Sequence, residues 1–377
     1  MNILFMNSAR TWGGTEKWTR MAAEAVAEHH KTVLVYRREI VGERFSIPKF
    51  RLPCLSHIDL YTLIMLVRII RKENIEVIIP TKRKDYMIAG LAGKITGKAV
   101  ILRLGADRTL RWPWQRLMYH TLTDGIIVNA EKIKQTLLDT GYIPQGKIKV
   151  IYNGLDTDDI DRRRNEPVNK PFPFLISALG RITHNKGFDF LLRSFARFLA
   201  LSEAKDAGLI IMGKGADMEE FRSLANKAGI AGQVIFTGFM QNPYPMLAIS
   251  DLFAMTSTNE GLSNALLEAM YLNCVPLSTY AGGVREVITD KKNGFLFDYG
   301  DEKKLAELFR MLYNDEKQRI QVAKAAQERV IQQFSIPVMA TEVAHFCSET
   351  IESRKSKSDP KITVSSLSGN AKNVTIT

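Results

Sequence analysis

The sequence has few cysteines: only Cys54, Cys274 and Cys347, which lie far apart along the chain. Their number is odd and their spacing matches no metal-binding motif, which argues against a disulfide-stabilised fold and a cysteine-based metal centre. We therefore interpret them as ordinary reduced thiols.

Long apolar runs are also lacking. No stretch approaches the roughly 18 residues that a membrane-spanning helix needs, and the opening residues MNILF lack the basic flank of a signal peptide. The hydrophobic fraction of 45% and the charged fraction of 24% are typical of globular proteins, and 377 residues suffice for two domains with separate cores. We expect a cytoplasmic protein.

Negative charge is scarce in the first 150 residues. They hold 25 Lys and Arg against 13 Asp and Glu, whereas residues 151–377 hold 27 of each sign, so the net charge of +12 arises in the first part. This asymmetry predicts an acidic partner for that part.

The most basic segment, residues 103–116, contains Trp112 and Trp114 among its arginines, a composition suited to the headgroup level of an anionic membrane. Two further basic runs, 68–72 and 82–84, could extend this patch. Two alternatives are simple solubilisation by surface charge and a nucleic-acid partner, although no nucleic-acid recognition motif accompanies the charge.

The Gly-x-Gly-x-x-Gly fingerprint of dinucleotide-binding enzymes is absent from the turn that would carry it, which argues against an NAD enzyme. That turn instead contains Gly13 and Gly14, between the first expected strand and the first expected helix. Gly14 would let a ligand approach the backbone, and the helix N-terminus behind it would attract negative charge. A second glycine pair, Gly213 and Gly215, follows the expected strand 209–212 and matches the fingerprint only in part. A tight turn explains this pair equally well.

Apolar strands alternate with amphipathic helices along most of the chain, the pattern of parallel α/β sheets. A polar stretch over residues 153–170 interrupts the alternation and is the best linker candidate. We predict two Rossmann-like, doubly wound domains at 1–165 and 166–334, a helix at 335–352 that packs back on the first domain, and a disordered tail at 353–377. The predicted strands cover 2–7, 32–36, 75–80, 99–104, 125–129, 148–152, 174–179, 209–212, 234–237, 252–254, 275–278 and 294–297.

Two carboxylates, Glu260 and Glu268, lie eight residues apart across an expected loop-to-helix junction. Ser263 occupies the expected N-cap position, and Glu268 would point from the second turn of the helix. The backbone N–H groups of Gly261, Leu262 and Ser263 would face one spot and form an anion site. Two hydroxyl-binding carboxylates around a phosphate site suggest a pocket for a nucleotide sugar.

Two cations, Arg181 and Lys186, occupy the loop that follows the expected strand 174–179. Ligands bind at the carboxyl edge of open α/β sheets, where this loop would lie. Arg181 can donate to two phosphate oxygens while Lys186 supplies a point charge, so together they could neutralise a diphosphate. The alternative is that they are surface cations at a turn. His184, in the same loop, is interpreted as solvated.

These residues together resemble the retaining GT-B glycosyltransferases of family 4. The resemblance covers residues 1 to about 350 and is more specific in the second half. It rests mainly on the Glu260/Glu268 and Arg181/Lys186 pairs, the Gly13-Gly14 turn and residues 153–156 (NGLD). It implies transfer of a sugar from a nucleotide-diphosphate sugar, with retention of configuration and no required metal or other cofactor.

The resemblance also implies a role for each site residue. Arg181 and Lys186 would bind the donor phosphates, and the amides of Gly261, Leu262 and Ser263 would bind phosphate as well. Glu260 would bind the transferred sugar and Glu268 the ribose. Gly13 and Gly14 would let the first domain close onto the donor. The expected acceptor is lipid-linked or a saccharide of cell-surface polysaccharide, lipopolysaccharide or glycolipid synthesis, used at the inner face of a membrane.

One departure concerns the first domain, where many relatives place a histidine after a middle strand. This chain has Arg103 and Asp107 in that neighbourhood, and either could replace it. Alternative functions are a same-fold nucleotide-sugar epimerase, a phosphorylase, for which no pyridoxal-phosphate lysine is identifiable, and a basic nucleic-acid-binding protein.

Overall fold

The computed structural model describes residues 1–56, 59–105, 113–258 and 262–358. The chain forms two compact units. The first contains Met1–Asn129, Ile133–Ile151 and the described residues from Ala340 onward, and the second contains Ala130–Lys132 and Tyr152–Met339. No helix within the described ranges combines the length and apolar character needed to cross a membrane.

Helices and strands alternate through both units. The α-helices of the described residues are α1 (Gly14–Ala27), α2 (Glu39–Gly42), α3 (Leu60–Lys72), α4 (Arg83–Thr96), α5 (Pro113–Arg116), α6 (Glu131–Leu138), α7 (Thr157–Arg163), α8 (Phe188–Ser202), α9 (Met218–Lys227), α10 (Tyr244–Ala248), α11 (Asn264–Tyr271), α12 (Val284–Val287), α13 (Glu302–Asn314), α14 (Glu316–Gln333) and α15 (Ile336–Ser358). The strands are β1 (Asn2–Asn7), β2 (Lys31–Tyr36), β3 (Lys49–Arg51), β4 (Val77–Pro80), β5 (Ala99–Leu104), β6 (Gly125–Val128), β7 (Ile148–Val150), β8 (Phe174–Leu179), β9 (Ala207–Met212), β10 (Val234–Gly238), β11 (Leu252–Met255), β12 (Val275–Thr279) and β13 (Phe295–Phe297).

Each unit is built on one parallel sheet. Within the described residues the first sheet has the order β3-β2-β1-β4-β5-β6-β7 and the second β10-β9-β8-β11-β12-β13. The order reverses between β1 and β4 in the first sheet and between β8 and β11 in the second. Such a switch point opens a crevice at the carboxyl edge, where ligands bind in this class of fold.

The second sheet is buried on both faces, which confirms the doubly wound prediction for this domain. Successive strand residues point to opposite faces: Ile176 packs in one apolar cluster and Leu175 in the other. The first cluster includes residues of α8, α9 and α13, and the second includes residues of α7, α10, α11 and α14.

The predicted linker at 153–170 is wrong in its first half, because this stretch is packed into the second unit. Asp156 caps α7 by accepting from the N–H of Asp159, and Ile160 is 1% exposed in an apolar cluster. Asp161 accepts a 2.7 Å hydrogen bond from Tyr271. Contacts of this kind place the change of unit after Ile151 rather than at 165.

The end of the chain also differs from the prediction. The last helix, α15, runs to Ser358, so residues 353–358 are helical and not part of a disordered tail. Arg354 holds it to the first unit with two hydrogen bonds of 2.7 and 2.8 Å to Asp124. The expected tail from 359 onward lies outside the described residues. The short edge strand β3 was not predicted, because three residues are too few to show alternation.

A buried carboxylate at the edge of the first sheet makes a testable prediction. Asp85 is fully buried, and its Oδ2 accepts the N–H of Ser8 at 2.9 Å. Its Oδ1 has no partner among the described residues. Burial raises the pKa of Asp85 from 3.8 to about 6. The folded state therefore holds this proton more tightly than the unfolded state, and the free energy of unfolding falls as pH rises through that window.

Asp85→Asn removes this ionisation, so the variant should gain about 2 kcal/mol relative to the wild type between pH 4.5 and pH 7.5. Denaturant unfolding followed by tryptophan fluorescence measures it, because Trp12, Trp18, Trp112 and Trp114 are the four tryptophans and precede residue 151. A constant difference between the two proteins across this pH range would contradict the prediction.

Candidate functional site

The loop after β8 is held in place by the segment after β11. Gly187 ends the loop with φ +67°, and a Cβ there would lie 2.2 Å from the carbonyl oxygen of Thr256. The Thr256 hydroxyl donates to the carbonyl of Lys186 at 3.0 Å, and the N–H of Thr258 donates to that of Asn185 at 3.0 Å. Because β8 and β11 flank the switch point, these bonds place Lys186 beside the crevice.

A second loop supports the first from the other side. The N–H of Ile182 donates to the carbonyl of Lys214 at 3.1 Å. A Cβ at Gly213 would lie 1.8 Å from the carbonyl oxygen of Gly180, and one at Gly215 would lie 1.9 Å from that of Ile182. These glycines therefore permit close backbone contact, a role that the tight-turn interpretation missed. Their position after a strand that neighbours β8 is the signal that could have revealed it.

The two predicted cations lie on this supported loop. Arg181 is exposed, and among the described residues its guanidinium has no hydrogen-bond or ion-pair partner. Lys186 is half-buried, and its Cε lies 3.7 Å from where a Cβ of Gly180 would be. The loop thus presents one open guanidinium and one ammonium at the carboxyl edge, an arrangement that can bind an anion with two charged groups.

His184 faces α9 rather than the crevice. Its Nε2 lies 3.3 Å from Glu220 and 3.7 Å from Asp217. The ligand atoms of these three residues lie within 4.8 Å of one another, so they are a group among the described residues that could hold a metal ion. An imidazole that interacts with two carboxylates accounts for the same geometry without a metal, and His184 and Glu220 are exposed.

The helix that follows the predicted anion turn confirms the expected cap. Ser263 is the N-cap of α11 and accepts from the N–H of Leu266 at 3.4 Å. The N–H groups from Leu262 to Ala265 have no partner among the described residues. As far as the described residues go, these donors can accept an anion as partner. Glu260 and Gly261, the other residues predicted for this turn, lie outside the described residues.

Glu268 projects from the second turn of α11, as predicted. It is half-buried and close to Tyr244, a residue that is 9% exposed. Burial and, after it, the charge of Glu268 raise the pKa of Tyr244 to about 12. The phenol therefore stays protonated beside Glu268.

Hydroxyl residues at the ends of β11 and β12 were not predicted. Thr256 and Ser257 are 1% and 2% exposed, and the Thr279 hydroxyl donates to the carbonyl of Ser257 at 2.6 Å. They connect neighbouring strand ends at the crevice and hold the edge on which the cationic loop rests. No sequence motif marks them, because their role depends on the neighbouring strand.

In the first unit, Gly13 is the N-cap of α1 and Gly14 begins the helix. Among the described residues, no atom would lie within 4 Å of a Cβ at Gly14. Glu16, two residues further, is buried and pairs with Lys82 at 2.5 Å. Gly14 therefore stands next to a fixed ion pair at the carboxyl edge of the sheet.

The structure corrects the prediction that Arg103 belongs to a membrane-facing patch. Arg103 is 4% exposed, and its guanidinium stacks on the ring of Trp18 at 4.5 Å. Burial lowers its pKa to about 10. As part of β5 the side chain packs under α1 and cannot face a membrane. Residues 106–112 of the predicted segment, including Asp107, lie outside the described residues.

Two family models match consecutive parts of the chain. The model described as Glycosyltransferase Family 4 matches residues 12–159, and the model described as Glycosyl transferases group 1 matches residues 159–329. Together they cover most of the chain, and the second contains the cationic loop, α11 and Glu268.

Curated relatives are glycosyltransferases. The chain is 30% identical over 224 residues to the lipopolysaccharide core biosynthesis glycosyltransferase LpsE of Rhizobium meliloti, a match that covers 58% of this chain and 63% of LpsE. It is 28% identical over 197 residues, 52% of each chain, to the N-acetylgalactosamine-N,N'-diacetylbacillosaminyl-diphospho-undecaprenol 4-alpha-N-acetylgalactosaminyltransferase of Campylobacter jejuni. The matched segment thus spans between half and two thirds of these relatives.

The fold is shared with solved GT-B structures. The structure of Anabaena HepE in complex with UDP superposes with a TM-score of 0.73, 20% identity and coverage of 93% of this chain and 100% of that one. The two Rossmann-like sheets described above are thus those of the GT-B fold.

Proposed function

Because this chain belongs to the family 4 glycosyltransferases, we propose that it transfers a sugar from a nucleotide-diphosphate sugar to an acceptor hydroxyl with retention of anomeric configuration. The observation that carries the proposal is the loop of Arg181 and Lys186, held at the switch point of the second sheet by Thr256 and Thr258. In this class of fold, phosphate-bearing ligands bind at that point.

The phosphates would be bound from two directions. Arg181 can form two parallel hydrogen bonds to one phosphate, and Lys186 adds a point charge. The N–H groups at the start of α11 add backbone donors and the positive end of the helix dipole. These groups stabilise the negative charge that develops on the diphosphate as it leaves. Because they are already in position, they do so without reorganisation.

The carboxylates would bind the sugars. We assign Glu268 to the ribose, because it projects from the same helix whose N-terminus receives the phosphate. We assign Glu260 to hydroxyls of the transferred sugar. Gly13 and Gly14 are assigned to the donor by the family resemblance alone.

The chemistry proposed needs no enzyme nucleophile. The bond between the anomeric carbon and the phosphate oxygen breaks, and the acceptor oxygen forms its bond on the same face. The acceptor proton passes to the departing phosphate oxygen. Arg181 and Lys186 stabilise the diphosphate at that stage. We propose that no metal takes part, since two cations and the helix N-terminus can supply the positive charge.

We propose a lipid-linked or saccharide acceptor, in polysaccharide, lipopolysaccharide or glycolipid synthesis. The support comes from the printed names of LpsE, which acts in lipopolysaccharide core biosynthesis, and of the Campylobacter enzyme, which names a diphospho-undecaprenol. The protein would work in the cytoplasm, peripherally at the inner face of a membrane.

A thermal-shift screen against UDP, GDP, ADP and their sugars, in buffer with EDTA, tests the donor. Binding to the folded state raises the melting temperature by mass action, and UDP-sugars come first because HepE was solved with UDP. Slow hydrolysis of the same nucleotide sugar, abolished in Glu260→Ala, would support transfer chemistry. If no nucleotide sugar binds or is hydrolysed, the proposed function is wrong.

Glu268→Gln should weaken binding of the nucleotide that passes this screen by roughly tenfold, because a charge-assisted hydrogen bond to ribose becomes a neutral one. Isothermal titration measures the Kd. Glu219→Gln is the matched control, since Glu219 is 81% exposed on α9 and pairs only with Arg222 at 3.4 Å among the described residues. Equal affinity in both variants would remove Glu268 from the nucleotide site.

A further inference from the structure

Three arginines meet at the carboxyl edge of the first sheet. Arg37 and Arg38 directly follow β2, and Arg51 is the last residue of β3, where it pairs in register with Tyr36. Together with Leu52, Pro53 and Leu55 they line a cavity of about 360 Å³. This is the edge of a parallel sheet at which ligands bind, so the cavity is placed as a ligand site would be.

The charge of this cavity is largely uncompensated. Glu39 pairs with Arg51 at 3.0 Å, but within the described ranges no carboxylate pairs with Arg10, Arg37 or Arg38. Lys84 lies near enough to add to the charge: burial lowers its pKa, Arg37 and Arg10 lower it further, and Asp85 offsets part of this effect. Asp85 and Asp59 lie near Lys84, and Glu39 pairs with Arg51, so five cations stand against three carboxylates. A bound anion would relieve the repulsion that the excess positive charge causes.

An exposed apolar surface borders the same cavity. Leu55, which lines it, is 64% exposed, and Leu60, Tyr61 and Ile64 on α3 are 69%, 62% and 45% exposed. The last three lie at helical spacing on the outer face of α3. Asp59 caps α3 and accepts the N–H of Leu55 at 2.9 Å, which holds the start of this helix beside the cavity.

We propose that this basic cavity and its apolar border bind a lipid phosphate, with the phosphate or diphosphate on Arg37, Arg38 and Arg51 and the start of the lipid chain on Leu55 and α3. This inference rests on the proposed function and names its acceptor class, a sugar carried on a lipid through phosphate. Guanidinium groups bind a phosphate through paired hydrogen bonds, and a lipid chain binds to apolar surface. The two occur here side by side.

Charge complementarity selects this occupant over a general anionic membrane. A headgroup layer would be met by cations spread over a surface, whereas these arginines converge on a concave site large enough for a diphosphate. The four exposed aliphatic or aromatic side chains beside this site, Leu55, Leu60, Tyr61 and Ile64, are explained when an apolar chain covers them.

Vesicle flotation with the full chain tests the proposal. Vesicles of three compositions are compared: phosphatidylcholine alone, phosphatidylcholine with undecaprenyl diphosphate, and phosphatidylcholine with phosphatidylglycerol. The phosphatidylglycerol content is set so that the third composition has the same total charge as the second. We expect binding to the diphosphate vesicles to be at least tenfold stronger than to the other two, and millimolar pyrophosphate to compete with it.

Arg37→Gln/Arg38→Gln should weaken binding to the diphosphate vesicles by roughly 10- to 100-fold, the range expected for two lost charge-assisted hydrogen bonds. Arg71→Gln/Lys72→Gln is the matched control, because both residues are exposed in the last turn of α3, which leads to the opposite edge of the sheet. Leu60→Ser/Tyr61→Ser should weaken binding to the same vesicles but leave pyrophosphate binding unchanged.

Equal binding to the two charged vesicles would overturn the proposal in favour of a nonspecific membrane patch, as would equal loss in the arginine and control variants. Nucleotide binding separates this result from the proposed function. Arg37→Gln/Arg38→Gln should keep the nucleotide-induced thermal shift. If the wild type binds the lipid but no nucleotide, the proposed nucleotide-sugar donor is wrong, whereas the lipid-phosphate site is supported.

Discussion

Replacing Lys186 or Arg181 by Ala should lower kcat/KM for sugar transfer by about 10²–10³, the usual loss when one preorganised donor to a developing charge is removed. Both residues lie on a loop fixed from two sides, by Thr256 and by the segment around Lys214. The loop cannot readily move another cation into their place. The folded state should be little affected by the loss of Arg181, which is exposed and has no ion-pair partner among the described residues.

Steady-state kinetics with the donor found in the screen measures this effect, and Arg181→Lys adds a test of geometry. Lysine keeps the charge but cannot form two parallel hydrogen bonds to two phosphate oxygens, so this variant should recover only part of the rate. Lys205→Ala serves as the control, because Lys205 is an exposed cation that precedes β9 at the amino edge of the same sheet. Rates within threefold of wild type for both alanine variants would show that the loop does not bind the leaving group.

Gly213→Ala is expected to be the most damaging single-methyl change in the second unit, at about 3–5 kcal/mol of unfolding free energy, from backbone strain and a steric clash together. Gly213 has φ +147°, a backbone conformation that residues with a side chain rarely adopt. The added Cβ would lie 1.8 Å from the carbonyl oxygen of Gly180. That oxygen belongs to backbone, so the clash cannot be relieved by a rotamer change. Any relief must move the loop that carries Arg181.

The variant should therefore lose both stability and nucleotide affinity, which thermal unfolding and isothermal titration measure separately. Gly232→Ala is the matched control, since Gly232 lies in the same unit and, in the part of the chain that the structure describes, no atom lies within 4 Å of the new Cβ. If Gly213→Ala unfolds at the wild-type temperature, the close packing of the two loops is not as described.

The sequence predicted most strands of both units because each is an uninterrupted apolar run between turns. β1 (Asn2–Asn7), β5 (Ala99–Leu104) and β8 (Phe174–Leu179) match their predicted bounds. Ser263 was recognised as an N-cap because its hydroxyl satisfies a free N–H of the first turn, which is a local interaction. Predictions failed where a polar segment owes its structure to distant partners, as α7 does through Ile160 and Asp161.

Arg103 is a second residue whose environment depends on distant partners, but here a charged side chain is buried. In the sequence it is one of several arginines beside tryptophans, which is typical of a surface patch. Its position in β5 and the indole of Trp18, 85 residues earlier in the chain, bury it instead. The charge of one segment could be counted from the sequence, but its exposure depended on which helix covers the strand.

The sequence alone thus determined the α/β class, the family resemblance and the residue types of the candidate site: two cations in one loop and a capped helix that carries a carboxylate. These follow from local periodicity and short spacings. Only the tertiary structure decided that Gly213 and Gly215 support the cationic loop, and that Arg37, Arg38 and Arg51 converge on one cavity. The reason is that strand order brings distant loops to one edge of a sheet, and strand order is not written in the alternation of strands and helices.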